Sequence, residues 1–362
     1  MDYLRLLAWC KDLPQNAAQY LHADTWEELF DRGFVRENRS GTCFRSAVKA
    51  LDVLNYTGFD YPQDKRTLSA GSVLSRRLEL SELTLFLYSL RADVFLDSPT
   101  QYRPESLCFL PSFALRRKQA ANILGGTRLA GFLYSPQTTF VPYFIRDGRE
   151  GLYPHAEQAA FHGEYLSNKK PAAVVYTGKS DLDELIRTVH HAEQVNFRTK
   201  AVTFRDAMKD FSCPVCFVPL SEDGLRQLRI MCVPDYKIKL AKASLENEYR
   251  DSKYTWCDSY YMGEPLIIGV DFNLKGFEQA LEYANGSRIH ILVLDFQMDV
   301  LREYFLGKSV KIHSIKIREV EEILRLPKAL RTPDFSPYQT KEGGFINTTD
   351  FKTHRKIGRP GD

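Results

Sequence analysis

The chain has 362 residues, of which 44% are hydrophobic and 26% charged, with a net charge of +3. That length favours two domains over one, and the composition is ordinary for a folded globular protein, which argues against a disordered or low-complexity chain. The charge is too slight to argue by itself for a dedicated nucleic-acid binder.

Tyr3, Leu4, Leu6, Leu7 and Trp9 suit a first helix that ends near Asp12-Leu13-Pro14. Pro14 can open a second helix, Gln15 to Leu21. Asp24-Thr-Trp-Glu starts a third with an acidic N-terminus, and Gly33 supplies the left-handed residue that stops it. Phe34 to Leu54 then reads as two short strands around a basic, glycine-containing tip, followed by a helix from about Lys49 to Asn55. Helix, helix, helix, hairpin, helix is the order of a winged helix-turn-helix, a module that reads duplex DNA. Val73, Leu74, Leu78, Leu80, Leu83, Leu87 and Leu90 recur at helical spacing, which predicts a helix over about 69–93. That helix is a candidate homodimer surface or a brace. The first domain is thus expected over 1–98, with Asp97 to Glu105, holding Pro99 and Pro104, as the boundary.

The second domain is expected over 106–326 as a mixed α/β fold. Phe113 to Leu124 reads as a helix, Arg128 to Tyr134 and Phe140 to Arg146 as paired strands, and His155 to Ser167 as a helix. Pro171 to Tyr176 reads as a buried strand and Asp181 to Glu193 as a helix. Ser221-Glu-Asp-Gly224, between apolar runs, signals a hairpin turn. The last third alternates: strand Pro265 to Asp271, helix Leu274 to Ala284, strand Arg288 to Asp295, helix Gln297 to Leu306, strand Val310 to Ile317, helix Arg318 to Leu326. Such a βαβαβ run demands crossovers and a parallel sheet. From 327 to 362 proline, glycine and charge replace the apolar period, and a disordered tail is expected. No run of 18 apolar residues is present, and Met1 to Trp9 lacks the features of an export signal. A cytoplasmic protein with no membrane span and reduced cysteines is therefore expected.

The wing carries Arg36, Arg39 and Arg45, with Lys49 just after, and guanidinium pairs strongly with phosphate oxygens. Arg116, Arg117 and Lys118, with Arg128 beyond, form the densest basic patch and suit a nucleic-acid backbone. Against this stands the third helix, with Asp24, Glu27, Glu28 and Asp31. Residues 1–100 hold 12 Lys and Arg against 14 Asp and Glu, a balance of −2. A module of that charge binds DNA mainly through its wing, or binds protein instead. His155-Ala-Glu157 with Cys213-Pro-Val-Cys216 has the residue order of a zinc deaminase. Ser212 stands where such a site has proline, and the tetrapeptide His-Ala-Glu-Gln recurs at His191 to Gln194, so no zinc is expected. Asp271 and Asp295 end successive apolar strands, where a parallel sheet places its binding crevice. They are helix caps in the simpler reading and ligands of a divalent metal in a nuclease or hydrolase in the alternative. No glycine-rich phosphate loop precedes any helix, so a nucleotide-binding Rossmann site is not expected; no Gly-x-Ser-x-Gly elbow occurs either, and no cofactor is expected.

The winged-helix start together with Val73-Leu-Ser-Arg-Arg-Leu-Glu-Leu-Ser-Glu-Leu and Thr127-Arg-Leu-Ala-Gly-Phe-Leu-Tyr134 resembles the replication-relaxation family of plasmids and integrative conjugative elements. The likeness covers about the first 180 residues. It implies a DNA-binding accessory protein acting in replication or transfer, with double-stranded DNA and replication or relaxosome proteins as partners. Some members carry a restriction-endonuclease-like core. Where such a core places Asp and Glu-x-Lys, this chain has Thr139 to Ile145, which implies a binding platform without nuclease activity.

Overall fold

The computed structural model describes residues 2–21, 23–59, 61, 71–97, 103, 105–118, 128–145, 170–191, 193–194, 202–203, 208–245 and 248–327. The expected tail past 327, the helix over 155–167 and the end of the helix over 113–124 lie outside the described residues. The described residues form two units, one ending at Ser89 and the other starting at Leu90. Together they are mixed α/β, with parallel and antiparallel strands.

In the first unit, helix α1 (Asp2–Cys10) is almost wholly buried, with Leu4, Leu6 and Leu7 at its core. Arg5 pairs with Asp2 at 3.4 Å, and its guanidinium lies 5.0 Å from the centre of the Phe59 ring. Lys11 then takes a left-handed φ of 66° and turns the chain out of the helix. The helix therefore stops short of Pro14, and Asp12–Pro14 is strand β1. Proline is poorly tolerated inside a helix and acceptable at a strand end, which is the physical reason for this correction. A 3-10 helix, Gln15–Tyr20, follows, then α2 (Ala23–Asp31). Gly33, at φ 70°, ends α2 as expected: Gly33 N donates to Phe30 O and Phe34 N to Leu29 O, at 2.8 and 2.9 Å.

Strands β2 (Val35–Glu37) and β3 (Cys43–Ser46) form the hairpin, and β1 adds to its far side, giving the antiparallel order β1-β3-β2. Helices α3 (Val48–Tyr56) and α4 (Gly71–Ser89) complete the unit. Much of the apolar stripe of α4 is spent inside the chain. Leu83, Leu85, Phe86 and Leu87 are buried, and of the large apolar side chains here Val73 is exposed. Polar groups fasten α4 as well: Glu82 accepts from Asn16 at 2.6 Å and from Tyr20 at 3.2 Å, and Tyr88 donates to Asp2 at 3.0 Å.

The second unit begins before the expected boundary, because Asp93 bridges to Cys108. Its first sheet runs β10-β7-β6-β5-β4. Strands β4 (Cys108–Pro111), β5 (Gly131–Tyr134) and β6 (Thr139–Phe144) form an antiparallel meander. Strand β7 (Ala172–Thr177) is parallel to β6, and β10 (Val215–Phe217) is parallel to β7. Helix α5 (Ser112–Lys118) follows β4, and α6 (Leu182–His191) follows β7. A two-residue ladder joins β8 (Glu193–Gln194) to β9 (Val202–Thr203).

Ser221 to Gly224 is not a hairpin turn. Ser221 caps helix α7 (Glu222–Met231), accepting from Gly224 N at 3.3 Å, with Glu222 and Asp223 in the first turn. Serine followed by acidic residues is a helix start as well as a turn signal. The glycine answers to packing, since a Cβ on it would lie 1.9 Å from Pro219 O. Gly224→Ala is expected to cost roughly 1–3 kcal/mol, as overpacking does. An unchanged denaturation midpoint would show that this contact yields freely.

Helix α8 (Tyr236–Leu245) leads to the second sheet, ordered β11-β12-β13-β14. Strands β11 (Ser259–Tyr261) and β12 (Glu264–Ile268) turn through Met262 and Gly263, both at positive φ, as a two-residue hairpin requires. Strands β12, β13 (Ile289–Leu294) and β14 (Val310–Ile315) are parallel, linked through α9 (Leu274–Ala284) and α10 (Met298–Tyr304) and closed by α11 (Ile317–Ile323), as the alternation predicts. Strand β13 is buried on both faces. Ile289, Ile291 and Val293 join the core holding Phe277 and Leu301, whereas Leu292 and Leu294 join the one holding Leu240 and Val320.

Candidate functional site

The β2–β3 hairpin is braced at its tip. The Asn38 side chain spans its tip, accepting from Thr42 N at 2.7 Å and Cys43 N at 3.2 Å and donating to Thr42 Oγ1 at 2.8 Å. Gly41 takes φ 64°, and its carbonyl accepts from Gln15, so the tip is tied to the 3-10 helix. Arg36 and Arg39 are exposed on this frame and form no ion pair among the described residues. Arg45 is placed differently. It stands opposite Arg36 on one side and Asp12 on the other, and it pairs with the Asp12 carboxylate. Asp12 is 2% exposed and also holds Arg77 at 3.1 Å. Arg45 therefore neutralises a buried carboxylate. Lys49 donates to Arg32 O at 3.2 Å and lies 4.8 Å from the Phe34 ring centre, with its ammonium at the surface.

Helix α2 presents Asp24, Glu27 and Asp31 to solvent, and Glu28 pairs with Arg32 at 2.7 Å. Its outer face is acidic, as the sequence implied. Arg116, Arg117 and Lys118 close α5, but their side chains lie outside the described ones.

The two strand-end carboxylates have different surroundings. Asp271 is buried, accepting from the Tyr236 hydroxyl at 2.9 Å and pairing with Lys237 at 2.9 Å. Burial disfavours charge on Lys237, but Asp271 and Asp258 outweigh it and raise the ammonium's pKa. Burial raises the neighbouring Asp258 carboxyl, against the pull of Lys237. Asp271 is not the cap of α9. Asn273 is, accepting from Gly276 N and also from Val215 N of β10, both at 3.1 Å. Asp295 is exposed and turns its own chain, accepting from Phe296 N at 3.1 Å. It lines an open cleft of about 490 Å³ with Asp223, Arg226, Phe296, Lys316, Ile317 and Arg318. Among the described residues no group of three or more His, Cys, Asp or Glu side chains is placed to hold a metal ion.

His155 and Glu157 lie outside the described residues. Cys216 is buried within β10, and burial raises its thiol pKa, as it does for Cys213, so both favour the protonated form over a ligating thiolate. All seven cysteines are free.

One polar cluster was not read from the sequence. His290, 2% exposed in β13, meets His313 of β14 at 2.7 Å and Glu264 of β12 at 2.6 Å through its two ring nitrogens. The imidazoles stack 5.0 Å apart, and Tyr261 packs edge-on against both. The signal was present only as two histidines inside strand patterns, with no local motif linking them. Burial lowers the His313 pKa, helped by His290 and Lys311. The folded chain thus binds this proton less readily than the unfolded chain, whose histidine titrates near about 6.5. Its contribution to stability is complete above that pH and is lost as pH falls through the lowered folded value. Wild type is expected to lose more stability than His313→Gln between about pH 7.5 and 5, followed by denaturant unfolding. Identical pH dependence in the two proteins would contradict this.

No helix among the described residues is long and apolar enough to cross a membrane. No family model, curated protein or solved structure matches the chain.

Proposed function

We propose that this chain is a non-catalytic DNA-binding accessory protein, whose first unit is a winged helix that holds duplex DNA through its wing. The observation that carries the reading is the exposure of Arg36 and Arg39 on a hairpin stiffened by Asn38 and Gln15. The strand order supports it. Strand β1 follows the first helix and pairs beside β3, so the hairpin projects from a three-stranded sheet. The acidic outer face of α2 would meet the phosphate backbone with like charge if that helix entered the groove, which favours contact through the wing. Strand β6 carries no carboxylate, which suits a binding platform over a restriction-endonuclease-like core. The setting, replication or transfer of a plasmid or conjugative element, rests on the family resemblance.

The test is duplex binding as a function of salt. Every arginine that ceases to neutralise a phosphate should reduce the slope of log affinity against log salt by about 0.9. Arg36→Ala/Arg39→Ala is expected to weaken binding and to flatten the slope by roughly 2. A wild type with no duplex binding at about 50 mM salt would sink the proposal. A second reading has its own observation: the exposed Asp24, Glu27 and Asp31 suit a basic surface on a partner protein, such as a replication or relaxosome component. Charge reversal on α2 that abolishes capture of a partner, with DNA binding intact, would support it.

A further inference from the structure

The cleft beside Asp295 has a construction that the DNA-binding reading leaves unused. It opens where β13 and β14 end, and the carboxyl edge of a parallel sheet is the usual place for a ligand. Its volume of about 490 Å³ lies within the range of small-molecule sites. Three kinds of side chain converge there. Lys316 and Arg318 line it, are exposed, and form no ion pair among the described residues. Asp223 and Asp295 also line it, close enough to feel each other's charge, and Phe296 adds a half-buried aromatic surface. The cleft is also braced. Arg226 makes a two-pronged pair with Glu321 at 3.0 and 2.6 Å, which fixes α7 against α11. Behind the cleft, Gln297 donates to Val270 O at 3.1 Å and accepts from Leu294 N at 3.0 Å, locking the ends of β12 and β13 together.

We propose that this cleft binds a nucleotide: the phosphate on Lys316 and Arg318, the ribose hydroxyls on Asp295, and the base against Phe296. Each ligand part meets the side chain suited to it. Guanidinium and ammonium groups pair with phosphate oxygens, and a strand-end carboxylate accepts from a ribose diol. A bare phosphate would gain the two cations but leave Asp223 and Asp295 as uncompensated like charges, whereas a nucleotide's ribose hydroxyls give a carboxylate hydrogen bonds to accept. No glycine-rich loop supplies backbone N–H groups, so the phosphate depends on the two cations alone. This places the site in the class that side-chain substitution should abolish.

The experiment is calorimetric titration of the full chain with the four nucleoside 5′-monophosphates, with adenosine, ribose 5-phosphate and inorganic phosphate in parallel, and with a single-stranded tetranucleotide. At least one monophosphate is expected to bind at least ten-fold more tightly than adenosine or inorganic phosphate. Lys316→Ala/Arg318→Ala should abolish that binding, and Asp295→Asn should weaken the nucleotide more than ribose-free phosphate. Arg36→Ala/Arg39→Ala should leave it unchanged, which separates this site from the wing. Tighter binding of the tetranucleotide, abolished in the same cleft variants, would make the nucleotide part of a strand and not a free metabolite, held by the same side chains. No binding of any nucleotide at millimolar concentration, or binding that survives Lys316→Ala/Arg318→Ala, would overturn the proposal.

Discussion

Asp12→Ala is expected to remove about 3–5 kcal/mol from the first unit, the usual cost of breaking a buried ion pair from one side. Asp12 opens β1 of the three-stranded sheet, 3% exposed at its side chain, and holds Arg45 and Arg77 together with a weak contact from the Cys43 thiol at 3.6 Å. Without the carboxylate, two guanidinium groups would face each other across β3 and α4 with no counter-charge. Trp9 and Trp26 lie in this unit and Trp256 in the other, so tryptophan fluorescence in a Trp256→Phe background reports on the first unit during denaturation. A double-mutant cycle sharpens the test. Once Asp12 is gone, Arg45→Met should cost far less than it does in the wild type, because the two residues act as one network. A loss below about 1 kcal/mol in Asp12→Ala, in the range of exposed pairs, would contradict the burial assigned to this cluster.

The second large effect is expected at Asp271, where Asp271→Ala should likewise cost about 3–5 kcal/mol through the stranded Lys237 ammonium. The informative comparison is Asp271→Asn. A helix cap tolerates that change, since asparagine caps nearly as well as aspartate. Asp271 instead neutralises Lys237 and accepts from Tyr236, and asparagine restores only part of this. Asp271→Asn is therefore expected to cost more than about 1 kcal/mol, by the weight of a charged hydrogen-bond partner. Asp295→Asn, at an exposed carboxylate, should stay below about 1 kcal/mol. Equal and small effects at both positions would restore the capping explanation for Asp271.

The contrast between these aspartates shows what the sequence could and could not reveal. The βαβαβ run was legible because β13 is a continuous apolar strand between polar turns and helices of period 3.6, so local pattern and tertiary environment agree. The end of α2 at Gly33 was legible for a similar reason: one residue carries the left-handed conformation. Asp12 was misread as the tail of α1 because its role depends on Arg45 and Arg77, 33 and 65 residues away. Ser221 to Gly224 carried two local meanings, and only the packing of Gly224 on Pro219 decides for the helix. The same limit applies to the sites. Arg36 and Arg39 could be picked out as exposed cations because a basic hairpin tip is a local feature. Arg45 has the same chemistry one strand away, but its charge is committed to a carboxylate that no spacing rule connects to it. The cleft lining comes from α7, the end of β13 and the start of α11, and the His290 cluster comes from three strands. Neither leaves a contiguous mark.

Hydrogen–deuterium exchange of the full chain, alone and with a duplex at low salt, tests the central claim most directly, because it reports where the chain is covered. Binding through the wing predicts slower exchange across residues 35–46, centred on the tip between Arg36 and Thr42, with the amides of α2 unchanged. Protection of α2 with the hairpin unaffected, or no protection anywhere in the first unit while the duplex is bound, would contradict it.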